Sequence, residues 1–179
     1  ISWALAKGFP KATVLADSWY CNNPFLQGLD KLGLPYVLEI KSSLTTDIAF
    51  KVPHYTKKGR LAKRQAESVK LKRYFQRISR IISCGFSADK KKSRDAKVIY
   101  QTKIATIKMN AFSRKYRIIE SYDPAKLTTK YLLTNQYHWE AVKIITSYQQ
   151  RWAIEEFFRN AKQLSDMEGA SIRSKQGVT

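Results

Sequence analysis

The amino-acid sequence predicts an α/β fold in which helices cover a largely parallel sheet. Residues 12–40 read as a strand, a helix and a second strand with short connections, which is the pattern of a βαβ unit. The chain has 179 residues, of which 44% are hydrophobic, so it can bury a core as one compact domain. Further β-prone runs and a long helical pattern follow in the second half of the chain.

The first predicted strand is followed by an acidic residue. A helical pattern in residues 1–9 breaks at Pro10, and the apolar run Ala12–Ala16 then predicts a buried strand. Asp17 comes directly after this strand, where open α/β sheets place their ligands. An Asp at a strand end is also commonly a turn or capping residue. The strand alone leaves both interpretations open.

The helix of the unit has recognisable ends. Asn22 or Asn23 can cap its first turn, Pro24 lies within that turn, and Gly33 is typical of a helix end. The run Tyr36–Ile40 then predicts the second strand. The βαβ unit therefore lies within residues 1–50.

The middle of the chain, residues 51–125, carries almost all of the net charge. It mixes basic clusters with the β-prone runs Val98–Ile107 and Tyr116–Tyr122. Of the 33 Lys and Arg residues, 21 lie between residues 51 and 117 beside three acidic residues, and the formal net charge of the chain is +19. An isolated basic cluster is usually just a solvated surface. A segment of this length, with Tyr and Phe interleaved, is more typical of a groove that neutralises nucleic-acid phosphates.

The composition argues against two other classes of protein. No run of 18 or more apolar residues exists and no basic amphipathic helix stands alone, so a membrane is not the expected partner. Cys21 and Cys84 are the only cysteines and have no metal-ligand spacing. Neither a disulfide framework nor a zinc site is therefore expected, and a reducing cytoplasmic setting fits.

The last part of the chain combines a strand with a long helical pattern. Tyr131–Thr134 predicts a short strand, and Trp139–Leu164 predicts one helix without internal Gly or Pro. At about 100° per residue, one face of this helix gathers a polar set within an arc of about 60°: Tyr148, Arg151, Glu155 and Lys162, with Arg159 on the same face. An apolar set lies opposite and is expected to pack on a sheet: Ala153, Ile154, Phe157, Phe158, Ala161 and Leu164.

Glu155 and Asp17 are the two acidic candidates. Glu155 has Arg151 and Arg159 four residues away on either side, a pairing that any soluble helix can show, so it decides nothing alone. Two carboxylates that share a site repel each other unless a cation lies between them, and Mg²⁺ is the natural choice for oxygen ligands. Such an ion can activate a water or a 3′-hydroxyl at a phosphodiester, while Arg and Lys hold neighbouring phosphates.

The string YQQRWAIEEFFRNAK, Tyr148–Lys162, has the Tyr-x2-Arg-x3-Glu-x6-Lys spacing of bacterial insertion-sequence transposases, a DDE group that this chain resembles. ATVLADSWY, Ala12–Tyr20, resembles the strand that bears their second catalytic Asp, and YLLTNQ resembles the strand before their Glu helix. The resemblance covers nearly the whole chain. It implies an RNase-H-like mixed sheet flanked by helices, with core segments at residues 1–50 and 126–179 and a basic β-rich insertion at residues 51–125.

The resemblance also implies roles and partners. Asp17 and Glu155 would be catalytic and metal-binding residues, and four residues would bind DNA: Tyr148, Arg151, Arg159 and Lys162. The implied metal is Mg²⁺, for which Mn²⁺ can substitute. The implied partners are double-stranded DNA, as transposon ends and target, and a second copy of the full-length protein in a homodimer. The implied location is the bacterial cytoplasm.

One departure from the family concerns its first catalytic Asp, which lies on the opening strand of the fold, upstream of the position of Asp17. Asp30, Asp47 and Asp123 have the wrong positions to replace it. We therefore expect the chain to be an excerpt that binds DNA but cuts it poorly or not at all. The alternative is a noncatalytic DNA-binding remnant of a transposase. For Trp152, beside the signature, base stacking and packing are both open, and packing is expected.

Overall fold

The computed structural model describes residues 1–49, 66–87 and 97–164, which form a mixed sheet with helices on both faces. The helices are α1 (Ser2–Ala6), α2 (Asn23–Lys31), α3 (Leu71–Gln76), α4 (Ala141–Gln149) and α5 (Arg151–Leu164). The strands are β1 (Val14–Ala16), β2 (Tyr36–Ile40), β3 (Thr45–Ala49), β4 (Ala66–Lys70), β5 (Ile82–Ser87), β6 (Lys97–Lys108), β7 (Lys115–Asp123) and β8 (Thr128–Thr134). The basic clusters at residues 57–65 and 89–94 lie outside the described residues.

The main sheet has six strands in the order β1-β2-β8-β7-β6-β5, and β3 pairs with β4 in a separate two-stranded sheet. Only the β1–β2 pair is parallel among the described strands; every other pair is antiparallel. The prediction of a largely parallel sheet is therefore wrong. β7 and β8 are joined by a short turn that makes them antiparallel, and β8 then pairs antiparallel with β2, with Val37 opposite Thr134.

The helix of the predicted βαβ unit is confirmed as α2. The Asn22 side chain accepts a hydrogen bond from the backbone N–H of Phe25 at 3.0 Å, and Pro24 lies in the first turn of α2. Gly33 follows the helix with a φ of 63°, a conformation that glycine adopts without strain. The first strand differs from its prediction, because β1 is half-buried rather than buried. Its place at the edge of the six-stranded sheet explains the difference.

The two faces of the sheet bury separate apolar clusters. On one side, called the α2 face, α2 and α3 pack over alternate residues of β2, β7 and β8, including Tyr36, Ile118 and Leu133. On the other side, called the α4 face, α4 packs over the intervening residues, including Val37 and Leu132. The α4 face is therefore the side of the sheet on which the predicted polar helix lies.

A polar cluster ties the βαβ unit to the antiparallel strands. Asp30, in α2, accepts hydrogen bonds at Oδ1 from the Tyr36 hydroxyl at 3.0 Å and from Arg114 at 2.6 Å. Asn135, just after β8, donates to the same oxygen at 3.4 Å and to the backbone carbonyl of Leu34 at 2.9 Å. The cluster thus joins one helix to residues at the ends of β2, β7 and β8.

The single long helix predicted for Trp139–Leu164 is wrong, because the chain forms α4 and α5 with a break at Gln150. Gln150 donates its N–H to the Ser147 carbonyl, and its own carbonyl accepts from the N–H of Ala153. These i→i+3 bonds mark a tight turn between the two helices. Tyr148 therefore lies in the last turn of α4, whereas Arg151 begins α5.

The apolar face of α5 does not pack on the sheet as predicted. Ile154, Phe157 and Phe158 are 52%, 66% and 58% exposed. The stripe of α4 that faces the sheet contains Ala141, Ile144 and Tyr148, and it continues along α5 to Glu155 and Lys162 rather than to the apolar set. Ile154, Phe157 and Phe158 are therefore not packed on the sheet. Within the described ranges, no helix is long and apolar enough to cross a membrane.

Candidate active site

Asp17 lies one residue past the end of β1. Its Oδ1 accepts a hydrogen bond from the backbone N–H of Trp19 at 2.9 Å, and its carbonyl accepts from the N–H of Tyr20 at 3.3 Å. The turn-residue interpretation of Asp17 is therefore correct for one carboxylate oxygen. Within the described part of the chain, Oδ2 takes no hydrogen bond. One oxygen of Asp17 thus remains available to a ligand.

Asp17 belongs to the α4 face by the alternation of strand side chains. Val14 and Ala16 pack against the cluster on the α2 face, and Leu15 packs against the cluster on the α4 face. Side chains alternate along a strand, so the next position, Asp17, falls on the side of Leu15. Because Ala16 pairs in parallel register with Leu38, one further step places Asp17 beside Glu39.

Tyr148 is buried at the end of α4, with 6% of its surface exposed. Its hydroxyl donates a hydrogen bond to Oε2 of Glu39 at 2.7 Å. Burial raises the pKa of Tyr148 well above its ordinary value, and the hydrogen bond to Glu39 adds to the rise. Tyr148 therefore stays a neutral donor, and its hydroxyl is engaged by β2.

Arg151 and Glu155 form an ion pair on α5. The Arg151 guanidinium also lies over the Tyr148 ring, 5.5 Å from its centroid. Burial alone would lower the pKa of Arg151, but the hydrogen bond to Glu155 and the neighbouring Tyr148 raise it above its ordinary value. Nε of Arg151 is buried without a hydrogen-bond partner among the described residues. Arg151 is thus a cation held in place by Glu155 and Tyr148, and its Nε–H donates no hydrogen bond within the described residues.

A cleft of about 570 Å³ opens beside these residues, between α4, the start of α5 and the β7–β8 hairpin; we call it the α4 cleft. Its lining consists of Tyr100, Ser121, Asp123, Lys126, Thr128, Lys130, Leu132, Ile145, Thr146, Tyr148, Gln149, Arg151 and Trp152. Three of these side chains are cationic and one is acidic, so the cleft carries a net positive charge. Aromatic rings line it together with the cations, a combination suited to nucleic acid.

The other predicted DNA-binding residues lie further along α5. The Arg159 guanidinium lies over the Trp152 ring, 5.6 Å from its centroid, and Lys162 is exposed. Trp152 itself is 55% exposed and lines the α4 cleft, so the expectation that it packs in a core is wrong.

The structure brings only part of the predicted site into contact. Tyr148, Arg151 and Glu155 form a chain of contacts, whereas no direct contact joins Asp17 to them among the described residues. Those residues also contain no group of three or more His, Cys, Asp or Glu side chains that could hold a metal ion. Asp17 and Glu155 provide carboxylate oxygens, the type of ligand that a hard divalent ion prefers. Two carboxylates are too few to complete the coordination of such an ion.

Two residues of the site were missed in the sequence, Glu39 and Lys130. Glu39 lies within the otherwise apolar run of β2, and Lys130 immediately precedes the apolar part of β8. Lys130 approaches Oε2 of Glu39 at 3.4 Å and the Tyr148 ring at 5.5 Å. A lone charge in an apolar strand was the available signal, because such a charge needs a partner.

A family model described as the transposase DDE domain matches residues 3–179. No curated protein matches the chain.

Proposed function

The chain belongs to the transposase DDE domain family, and we propose that it takes part in metal-dependent DNA cleavage and strand transfer. The family supports a transposase function, and its members generally use divalent metal ions. The observation that carries the proposal is the Arg151–Glu155 ion pair, in which Arg151 lines the cationic α4 cleft on the α4 face. A carboxylate beside a fixed cation that lines a cationic cleft suits phosphodiester chemistry.

We assign the finer subtype and fold on the same residues. The Tyr-Arg-Glu-Lys spacing is intact from Tyr148 to Lys162. A parallel β1–β2 pair, with an Asp after β1 and antiparallel strands beside β2, is compatible with an RNase-H-like core enlarged by strands of the basic insertion. In this arrangement residues 1–50 and 126–179 belong to the core and residues 51–125 to the insertion.

The proposed roles follow from position and charge. Arg151 and Lys130 lie in the α4 cleft and bind phosphate oxygens, and Arg159 and Lys162 extend the cationic surface along α5. Tyr148 reaches the bound DNA only through the small exposed part of its ring, since 6% of its surface is exposed and its hydroxyl is engaged by Glu39.

Asp17 and Glu155 supply oxygen donors to Mg²⁺ or Mn²⁺, with Oδ2 of Asp17 free of other partners within the described residues. The ion, when bound, would polarise a phosphodiester. The third acidic residue of the DDE group has no counterpart beside these two among the described residues. We therefore propose DNA binding for the chain as it stands and cleavage only for the complete site.

The metal role is tested by titrating Mg²⁺ and Mn²⁺ into the protein while binding is followed by calorimetry. Asp17→Asn and Glu155→Gln should each weaken Mn²⁺ binding by about tenfold or more, because each removes a charged oxygen donor. Glu156→Gln, which changes an exposed neighbour on α5, is the matched control and should bind as the parent does. Equal binding by all four proteins would contradict the metal role of Asp17 and Glu155.

The second candidate is a noncatalytic DNA-binding remnant. It is favoured by the Arg151–Glu155 ion pair, which satisfies Glu155 without a metal, and by the lack of a three-carboxylate group among the described residues. Incubating the protein with supercoiled DNA and Mn²⁺ distinguishes the two functions. Strand cleavage or Mn²⁺ uptake that Glu155→Gln abolishes supports the enzyme, whereas duplex binding without metal uptake supports the remnant.

The remaining proposals concern partners and location. The net charge of +19 and the cationic α4 cleft support double-stranded DNA as the partner, with transposon ends and target as its two sources. A homodimer of the full-length protein and a cytoplasmic location are proposed on the family resemblance alone. Light scattering with and without DNA would test the dimer.

A further inference from the structure

We propose that Glu39 is a positioning residue, which holds Tyr148 so that Arg151 and Lys130 are presented to DNA in the α4 cleft. This inference rests on the proposed DNA-binding function of that cleft. It concerns a residue outside the Tyr-Arg-Glu-Lys spacing, on a strand that lies more than 100 residues earlier in the chain.

The location of Glu39 is unusual for a carboxylate. It lies in β2 between residues that are almost completely buried, and its own side chain is 28% exposed. A half-buried charge of this kind loses hydration and is stable only when hydrogen-bonded or paired. Its partners are therefore not incidental, and both of them line the α4 cleft.

One oxygen of Glu39 collects donors from two other elements. Oε2 accepts the Tyr148 hydroxyl of α4 at 2.7 Å and lies 3.4 Å from Nζ of Lys130 on β8. The ring that Glu39 fixes in this way carries cations within 6 Å of its centroid: Lys130 at 5.5 Å and the Arg151 guanidinium at 5.5 Å. A single carboxylate thus sets the orientation of the ring that orders two cations of the cleft.

The same contact connects the two ends of the proposed site. Glu39 lies next to the position of Asp17 by strand register, and Tyr148 leads through Arg151 to Glu155. Holding the end of α4 on β2 therefore also holds the start of α5, which carries Arg151 and Glu155. Preorganised cations bind a phosphate better than cations that must be ordered on binding.

Charge alone predicts the opposite effect of removing Glu39. Taking a negative charge from a cationic cleft should strengthen DNA binding by simple electrostatics. A positioning role predicts weaker binding in spite of the added positive charge. The sign of the change therefore separates the two explanations.

The experiment compares variants that change the charge equally. Glu39→Ala and Glu39→Gln each remove one negative charge, and Glu156→Ala and Glu156→Gln do so at an exposed position of α5. Duplex DNA affinity is measured by fluorescence anisotropy over a range of KCl concentrations, at a temperature where circular dichroism shows every variant folded. Tyr148→Phe, which keeps the ring and loses only the hydroxyl, provides a second test if Glu39→Ala does not fold.

Glu39→Ala should bind DNA about tenfold more weakly than Glu156→Ala, and Tyr148→Phe about threefold more weakly than the parent. Glu39→Gln should stay within about threefold of Glu156→Gln, because its amide oxygen still accepts the Tyr148 hydroxyl. The double variant Glu39→Ala/Tyr148→Phe should bind no more weakly than Glu39→Ala, since both changes remove the same contact.

Two results would overturn the inference in different ways. If Glu39→Ala and Tyr148→Phe bind DNA as tightly as their controls while Arg151→Ala weakens binding, Glu39 is only a structural residue and the proposed function stands. If neither the parent nor any variant binds DNA, the proposed function of the cleft fails and the positioning role fails with it.

Discussion

Replacing Asp30 by Ala tests how the βαβ unit is attached to the antiparallel strands. Asp30 accepts hydrogen bonds from Tyr36, Arg114 and Asn135 at a single oxygen. Tyr36 is completely buried, so its hydroxyl would lose its acceptor in a place that water does not reach. The strand that carries Glu39 begins at Tyr36, so the perturbation also bears on the proposed site.

The expected loss of stability can be built from the three contacts. A hydrogen bond from a buried hydroxyl to a carboxylate is worth about 1.5–3 kcal/mol. The Arg114 pair adds less than about 1 kcal/mol, because the Arg114 side chain is 44% exposed and screened by water. The Asn135 contact is long and its donor also binds the Leu34 carbonyl, so it adds little. We expect Asp30→Ala to lower the free energy of unfolding by about 2–3 kcal/mol.

Urea unfolding followed by circular dichroism measures this loss. With a slope of about 2 kcal/mol per molar urea, the midpoint of Asp30→Ala should fall by about 1 M. Asp30→Asn keeps an acceptor for Tyr36 and should lose about 1 kcal/mol. Asp47→Ala, which removes an exposed carboxylate bonded to Asn110, is the control and should stay within about 0.5 kcal/mol of the parent. A loss for Asp30→Ala no larger than that of the control would refute the reasoning.

Cys21, Trp152 and the basic surface of α3 each give a further prediction. Burial raises the pKa of the Cys21 thiol from 9.0 to about 12, so the thiol ionises first in the unfolded chain. Between pH 8 and pH 10 the free energy of unfolding of the parent protein should therefore fall by about 1.4 kcal/mol more than that of Cys21→Ala. Urea titrations that show the same decrease for both proteins would contradict this. Trp152→Ala should leave the urea midpoint nearly unchanged but weaken binding of single-stranded DNA by about fivefold or more, and unchanged anisotropy titrations would exclude a base contact. Lys72 and Arg73 are exposed on α3, on the α2 face and opposite the α4 cleft, so their joint replacement by Glu should leave the salt dependence of duplex binding nearly unchanged; a decrease of about one to two units of slope would mean that DNA also contacts α3.

Local signals were enough to predict most elements of the fold. The cap at Asn22, the proline at position 24 and the turn at Gly33 each act within a few residues, and the helix they delimit is observed. The strands around Val98–Ile107 and Tyr116–Tyr122 are confirmed for the same reason. The pairing of β8 with β2 was not predicted, because it joins residues almost 100 positions apart, and hydrophobic periodicity carries no information on which strands become neighbours.

The residues of the site were predictable to different degrees. The signature spacing identified Arg151 and Glu155, which the structure joins in an ion pair. Their assignment as DNA and metal ligands stays a prediction, as does that of Asp17. Glu39 has no spacing relation to either, and its role depends on β2 lying beneath the end of α4. Only a three-dimensional contact could show that the lone charge of β2 and the tyrosine of the signature are partners.

The helix face that carries the signature has different surroundings before and after the break at Gln150. In α4 this face is core, since Ile144 and Tyr148 on it are buried against the sheet. In α5 the same face carries Glu155 and Lys162, while the opposite apolar face is exposed. The signature face therefore packs on the sheet in α4, and beyond the break at Gln150 it carries the Arg151–Glu155 ion pair in α5. Tyr148 lies at the transition, which explains why a residue of the signature is buried and why its anchor, Glu39, belongs to the sheet beneath it.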